Sequence, residues 1–218
     1  MGEVKFIPKT HTYVLGNGKR VPSVTQILAP ISKVLYQNIN EPTLRAKAKI
    51  GSSVHQLIEY YSKYEVSPPM DTDERVLKYF AEYLEWNNTL KDSYILENEF
   101  KGYYDDGNIK FAGTIDNIRM IGNDLCLIDY KTVANPNIVN IGLQLYGYKL
   151  IAEQTLDINI NKFYALSLQQ DSYDLIDLTT FVNDKTTKEF YDTLYKMNRL
   201  LEFHGIIQDG KDYGEEDL

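Results

Sequence analysis

The sequence predicts an α/β fold, a sheet flanked by helices with an N-terminal helical elaboration. Two segments before residue 90 repeat apolar residues at helical spacing, residues 95–132 are rich in β-formers, and helix and strand patterns alternate afterwards. The 218 residues are 43% hydrophobic, which suffices for one sizeable core. We expect one domain over 1–218, comprising an arm and helices (1–90), an αβ core (91–182), and a closing helix with an acidic tail (183–218).

The first part of the chain is predicted to form an arm followed by three helices. Residues 4–15 have the pattern of a hairpin or extended arm that ends in a Gly-Asn-Gly turn. Ser23 and Gln26 have the spacing of a capping box and begin a short helix. Pro42 lies in the first turn of a long helix that carries residue 55, and residues 71–88 form the next helix.

The rest of the chain is predicted to alternate between strands and helices. The predicted strands are 95–103, 110–120, 125–132, 161–168 and 175–181, and the predicted helices are 137–154 and 184–204. Strands 110–120 and 125–132 form a hairpin, because Gly122 and Asn123 between two β-rich runs are typical of a two-residue loop.

This hairpin brings two acidic side chains together. If Ile121 pairs with Asp124, Asp116 lies directly opposite Asp129 on one face. Like charges in that position destabilise a sheet, and a divalent cation is the simplest compensation. Lys131 follows Asp129 by two residues and lies on the same face. The alternative is a structural ion pair between Lys131 and one of the aspartates at a sheet edge.

His55, Gln144 and Tyr148 are further candidates, each with an ordinary structural alternative. His55 borders an apolar helical stripe, where it could be a metal ligand or could simply bond to a carbonyl or to Glu59 at i+4. Gln144 and Tyr148 are also four residues apart, and could hold a phosphate or form an ordinary polar helix edge. Glu99, whose alternation partner is Glu97, lies on the preceding strand and could reach the same metal.

Composition limits the compartment and the partners. The single cysteine, Cys126, lies in an apolar strand and excludes an intrachain disulfide and a cysteine-rich metal site. A reducing, cytoplasmic setting is therefore expected, and neither a signal peptide nor a membrane-spanning run is visible. The net charge of −8 argues against a generally basic surface, although Arg45, Lys47 and Lys49 form a local basic strip.

Four motifs in this order resemble the PD-(D/E)xK nuclease superfamily, in its RecB-type exonuclease branch. They are the helical histidine at 55, the GTID segment Gly113–Asp116, the segment Ile128–Thr132, and Gln144 with Tyr148. The resemblance covers roughly residues 20–170. Residues 22–28 also resemble the N-terminal segment of phage nucleases related to the mitochondrial genome maintenance exonuclease.

The resemblance implies a restriction-endonuclease-like central mixed sheet flanked by helices. It also implies specific roles for the residues that match its motifs. His55, Asp116 and Asp129 would bind Mg²⁺ or Mn²⁺, with help from the Tyr130 carbonyl, while Lys131 would be the catalytic lysine acting with the two aspartates. Gln144 and Tyr148 would position DNA or order the site, and Glu99 matches an upstream acid and becomes a further candidate ligand.

The expected function is a metal-dependent DNA exonuclease in phage or bacterial recombination or repair. Its substrate would be single-stranded or end-processed DNA, held in part by Arg45, Lys47, Lys49 and Ser52. Because the sequence has no P-loop or other helicase motif, the enzyme would act alone or with a recombination or helicase partner. The alternatives are a structure-specific endonuclease on the same core and a catalytically inactive DNA-binding module.

Overall fold

A computed structural model describes residues 4–7 and 12–203. Within these residues the helices are α1 (Val24–Tyr36), α2 (Glu41–Tyr64), α3 (Glu74–Thr89), α4 (Ile138–Leu156), α5 (Thr179–Asn183) and α6 (Lys185–Phe203). The strands are β1 (Val4–Ile7), β2 (Thr12–Leu15), β3 (Arg20–Val21), β4 (Ser93–Asp105), β5 (Lys110–Ile121), β6 (Asp124–Lys131), β7 (Lys162–Leu168) and β8 (Tyr173–Asp177). The predicted acidic tail and part of the predicted arm lie outside the described residues.

The predicted α/β fold is confirmed, with one mixed sheet at its centre. This five-stranded sheet has the order β4-β5-β6-β7-β8, and all neighbours are antiparallel except β6 and β7. The parallel pair is joined through α4, as a crossover connection requires. A second sheet, β1-β2-β3, joins the first where the N–H of Ala112 donates to the carbonyl of Pro22.

The sheet separates two apolar clusters. One cluster packs α1, α4 and α6 against residues such as Ile118, Leu127 and Phe163. The other packs α2 and α3 against Ile128 and Tyr130, and it includes the buried Cys126. Burial of Cys126 raises the pKa of its thiol to about 11.

Helix starts follow the local sequence, whereas one strand was misplaced. The capping box of Ser23 and Gln26 is present, and Asn40 caps α2 with Pro in the first turn. The strand predicted at 175–181 is wrong in position, because β8 ends at Asp177 and α5 follows. The Asp177 side chain accepts a hydrogen bond from the N–H of Thr179, and this local bond competes with continued strand pairing.

In the part of the chain that the structure describes, no helix combines the length and apolar content needed to cross a membrane.

Candidate functional site

The hairpin of β5 and β6 has the predicted register up to the candidate site. Its pairs run from Ile121↔Asp124 to Asn117↔Ile128 around a loop in which Gly122 has φ +59°. A two-residue loop with a left-handed Gly in its first position is a favoured hairpin turn. The pairing ends one step before Asp116 and Asp129.

Asp116 occupies the point at which the two strands part. Its Oδ2 accepts a 2.7 Å hydrogen bond from the backbone N–H of Tyr130. The carboxylate thus takes a donor that strand pairing would otherwise use. Only 7% of Asp116 is exposed, so its other oxygen, Oδ1, also lies in a largely buried setting.

Glu99 lies on the other side of Asp116, on β4. The flanking pairs Asn98↔Asn117 and Phe100↔Ile115 place Glu99 opposite Asp116 across the β4–β5 ladder. Glu99 has φ +50°, a left-handed conformation that costs a non-glycine residue about 1–2 kcal/mol. A β-bulge also shifts the register between Ile95 and Glu97. The β4–β5 ladder is therefore irregular at Glu99 and just before it.

His55 lies on α2, outside the sheet, and its side chain extends to Asp116 and Glu99. Its Nε2 donates a 3.1 Å hydrogen bond to the Tyr130 carbonyl, which fixes the proton on that nitrogen. Its Nδ1 lies 3.4 Å from Oδ1 of Asp116 and 3.8 Å from Oε1 of Glu99. The Tyr130 ring meets the imidazole edge-on at 5.9 Å between centroids and restricts its orientation.

Together, His55, Glu99 and Asp116 have the donor types and spacing of a divalent cation site. One ligand atom from each lies within 4.8 Å of the others. Two carboxylates with one imidazole suit Mn²⁺ and tolerate Mg²⁺. Glu99, the further candidate ligand of the sequence analysis, thus belongs to this group. Among the described residues the group does not include Asp129.

Asp129 lies beside Asp116 on β6 and forms an ion pair with Lys131. The distance between Lys131 Nζ and Asp129 Oδ2 is 3.0 Å, and the side chains are 15% and 1% exposed. The structural alternative for Lys131, an ion pair with one of the two aspartates, is therefore present as one of its contacts. It does not explain Asp116, whose Oδ1 lies 3.4 Å from His55 Nδ1. The predicted roles of Asp129 and of the Tyr130 carbonyl in metal binding stay predictions.

The two carboxylates nearest to His55 have opposite pKa shifts. Burial raises the pKa of Glu99 above its ordinary value, although the neighbouring His55 opposes the shift. Burial acts in the same sense on Asp116, but the charges of His55 and Lys131 and the Tyr130 hydrogen bond outweigh it and lower the pKa. Asp116 is therefore the more readily ionised of the two carboxyl groups, and a bound cation would favour ionisation of both.

A cavity of about 440 Å³ opens onto this cluster. Its walls come from the arm, α1, α2, β4, β5, β6 and α4, and Asp129 is the residue that β6 contributes. Gln144 and Tyr148 lie in the α4 wall, and Gln144 Nε2 donates a 2.9 Å hydrogen bond to Tyr148 Oη. Burial and the two aspartates raise the pKa of Tyr148 well above its ordinary value, so the phenol stays protonated. Ser52, another predicted positioning residue, also lines this cavity.

The predicted basic strip does not converge on the cluster. Arg45 forms an exposed ion pair with Glu41. Lys47 lines a second cavity beside the site, and the charge of Lys49 acts on Asp73 at the start of α3. These three side chains therefore face different surroundings, and their contact with DNA stays a prediction.

Two cavity residues were missed by the sequence analysis. Tyr13 reaches over from β2, and its hydroxyl shares a 2.8 Å hydrogen bond with the Thr114 hydroxyl in the GTID segment. No local pattern marks Tyr13, because the contact is long-range. Lys101 also lines the cavity, and it follows Glu99 by two residues just as Lys131 follows Asp129. The spacing of Glu99 and Lys101 in the sequence therefore indicates Lys101 as a candidate site residue.

Comparisons with known proteins identify no family for this chain. No protein-family model matches it, and no curated protein matches it. Among solved structures, a chain described as "Crystal structure of SSO0001" matches with 17% sequence identity and a TM-score of 0.37, covering 70% of this chain and 74% of that one. A TM-score this low indicates neither a shared fold nor a shared activity.

Proposed function

We propose that the protein is a metal-dependent deoxyribonuclease that acts from a free DNA end. The observation that carries the proposal is the convergence of His55, Glu99 and Asp116 from three different elements, with ligand atoms within 4.8 Å of one another. The buried Lys131–Asp129 ion pair lies beside this cluster. A divalent cation at the cluster would polarise a phosphoryl oxygen and acidify a bound water.

The protein's own side chains would hold and orient the phosphodiester. Asp129 holds the Lys131 ammonium at 3.0 Å, and this pairing positions a positive charge for the phosphate oxygens. Gln144 donates to the Tyr148 oxygen, so the protonated phenol can donate its own hydrogen to a substrate in the cavity that both residues line. His55 is oriented by its bond to the Tyr130 carbonyl.

Action from a free end is supported by the elements around the cavity. Phe6 and Tyr13 of the small sheet, Thr25 at the start of α1 and Ser52 of α2 line the same cavity as Asp116. A strand end can enter a recess walled on several sides more easily than an uninterrupted strand can. The experiment must distinguish this exonuclease from two alternatives, an endonuclease on the same core and an inactive DNA-binding module.

The test compares linear with covalently closed circular single-stranded DNA, in Mn²⁺ or Mg²⁺. We expect degradation of the linear form alone, and a loss of at least a hundredfold in Lys131→Met. Lys185→Met, which alters an exposed lysine on α6, is the matched control and should keep the wild-type rate. Circular dichroism establishes that each variant is folded at the assay temperature.

Three other outcomes would contradict the proposal. Cleavage of the circle would identify an endonuclease. Binding without cleavage of either form would identify an inactive DNA-binding module. Equal rates for Lys131→Met and Lys185→Met would remove Lys131 from the chemistry.

A further inference from the structure

A second cavity, of about 190 Å³, lies beside the candidate metal site. Its walls come from α1, α2, the end of β6 and the first turns of α4. It shares Thr25, His55 and Gln144 with the larger cavity, and Lys131 lies in its wall. A group bound there would therefore touch the residues proposed to act on the phosphodiester.

The walls of this second cavity are largely apolar. Leu28 and Tyr36 of α1, Leu44 and Ala48 of α2, and Ile141 of α4 contribute to it. Ligand sites of this kind are mostly apolar with a few placed polar groups. An apolar protein cavity of roughly 150 Å³ accommodates benzene, so this one has room for a flat aromatic ring.

One polar atom in the wall lacks a partner. The Asn140 side chain lines the cavity, and its Oδ1 is buried without a hydrogen bond to any of the described residues, so rotation of the amide would turn this oxygen to a ligand. The N-cap of α4 is Asn137, whose side chain accepts a hydrogen bond from the backbone N–H of Asn140. A buried polar group without a partner is costly, and a ligand with a polar edge would remove that cost. The amide offers both a donor and an acceptor to such an edge.

The charge at the cavity favours an anionic ligand. Lys47 and Lys131 both contribute to its lining, from α2 and β6. A nucleotide combines the three required properties, namely a flat ring, a polar ring edge and an attached anion. An apolar protein side chain would match the walls but would offer no group to the Asn140 amide or to the Lys47 ammonium.

We propose that this cavity binds the base of a nucleotide next to the scissile phosphate. The inference rests on the proposed nuclease function and adds a specificity to it. A base enclosed in a cavity of this size cannot stay stacked or paired. The site therefore selects single-stranded or frayed ends, and it tolerates different bases because apolar contact uses the ring face that all bases share.

The test places one abasic residue at each of the last six positions of a single-stranded oligonucleotide. Dissociation constants are measured by fluorescence anisotropy with Ca²⁺ in place of the catalytic metal, and kcat/KM is measured separately with Mn²⁺. In the wild-type protein, loss of one particular base should weaken binding by roughly tenfold or more, with little effect at the other positions.

Variants of α2 then assign that effect to the cavity. Ala48→Phe fills the cavity and should abolish the position-specific penalty, whereas Ala46→Phe is the matched control on the exposed side of α2 and should retain it. Asn140→Ala removes the unpartnered amide and should reduce the penalty without a loss of thermal stability. This variant keeps the test valid if Ala48→Phe impairs folding.

The outcomes separate the inference from the function on which it rests. A wild-type protein without a position-specific penalty, or an Ala48→Phe variant that is folded and keeps it, overturns the base site while cleavage can still stand. A position-specific penalty without any cleavage overturns the nuclease and leaves the base site. Failure to bind any of the oligonucleotides overturns both.

Discussion

The ring of Tyr148 lies directly against the backbone of Gly113. A Cβ atom at position 113 would lie 2.9 Å from Cε1 of Tyr148, closer than side chains tolerate. Two motifs that are separate in the sequence therefore depend on each other. The glycine of the GTID segment leaves the space that Tyr148, the tyrosine of the Gln144 and Tyr148 motif, occupies.

Gly113→Ala should consequently displace Tyr148 and destabilise the protein. Overpacking of this kind costs typically 1–3 kcal/mol. Chemical denaturation measures the change, with Gly113→Ala/Tyr148→Leu as the comparison. The double variant should recover part of the loss, since the smaller side chain relieves the contact. An unaltered free energy of unfolding in Gly113→Ala would contradict the packing described.

Mn²⁺ should stabilise the wild-type protein by binding only the folded state. At a metal concentration a hundred times Kd the gain is about 2.7 kcal/mol, measurable as an increase in Tm. Asp116→Asn should lower the affinity at least tenfold yet remain folded, because the amide oxygen can still accept the hydrogen bond of Tyr130. Asp171→Asn, an exposed aspartate, is the control. Equal Mn²⁺ responses in the two variants would exclude Asp116 as a ligand.

The raised pKa of Glu99 predicts how the stability of the metal-free protein depends on pH. Burial raises its pKa above the ordinary 4.5, so the folded state holds the proton more tightly than the unfolded state does. The contribution of Glu99 is therefore fully present below its unfolded pKa and is lost as pH rises through its folded pKa. Glu99→Gln should raise the metal-free Tm at neutral pH and abolish the Mn²⁺ response. A lower Tm in this variant would contradict the pKa shift.

The buried pair of Lys131 and Asp129 predicts a coupling in stability. Lys131→Met leaves the Asp129 carboxylate buried without its cation and should cost roughly 3 kcal/mol. Lys131→Met/Asp129→Asn should be more stable than Lys131→Met, because the uncompensated charge is gone. A double-mutant cycle measured by urea denaturation tests this. Additive free energies would show that the pair is not coupled.

Lys101 should contribute to DNA binding through the phosphates. It lies on β4 in the wall of the larger cavity, so Lys101→Ala should raise KM with little effect on kcat. The slope of log Kd against log salt should fall by about one unit. Lys33→Ala, an exposed lysine on α1, is the control and should leave the slope unaltered. A loss in kcat alone would assign Lys101 a different role.

Local chemistry made much of the fold predictable. The Gly122-Asn123 loop and the alternation of its flanking strands determine the register from Ile121↔Asp124 onward. The capping box at Ser23 determines where α1 begins. The end of β8 was not predictable in the same way, because a side-chain bond from Asp177 competes with strand pairing there.

The candidate site was only partly predictable, because it is assembled from contacts distant in the sequence. Strand pairing and alternation are local rules, so the sequence alone predicts that Asp116, Asp129 and Lys131 are neighbours. Tertiary packing brings Glu99 and His55 to Asp116, whereas Asp129 pairs with Lys131. This grouping arises because the Asp116 carboxylate accepts a hydrogen bond from the N–H of Tyr130 and the strands part there. The packing of α2 on the sheet then brings His55 to the opening.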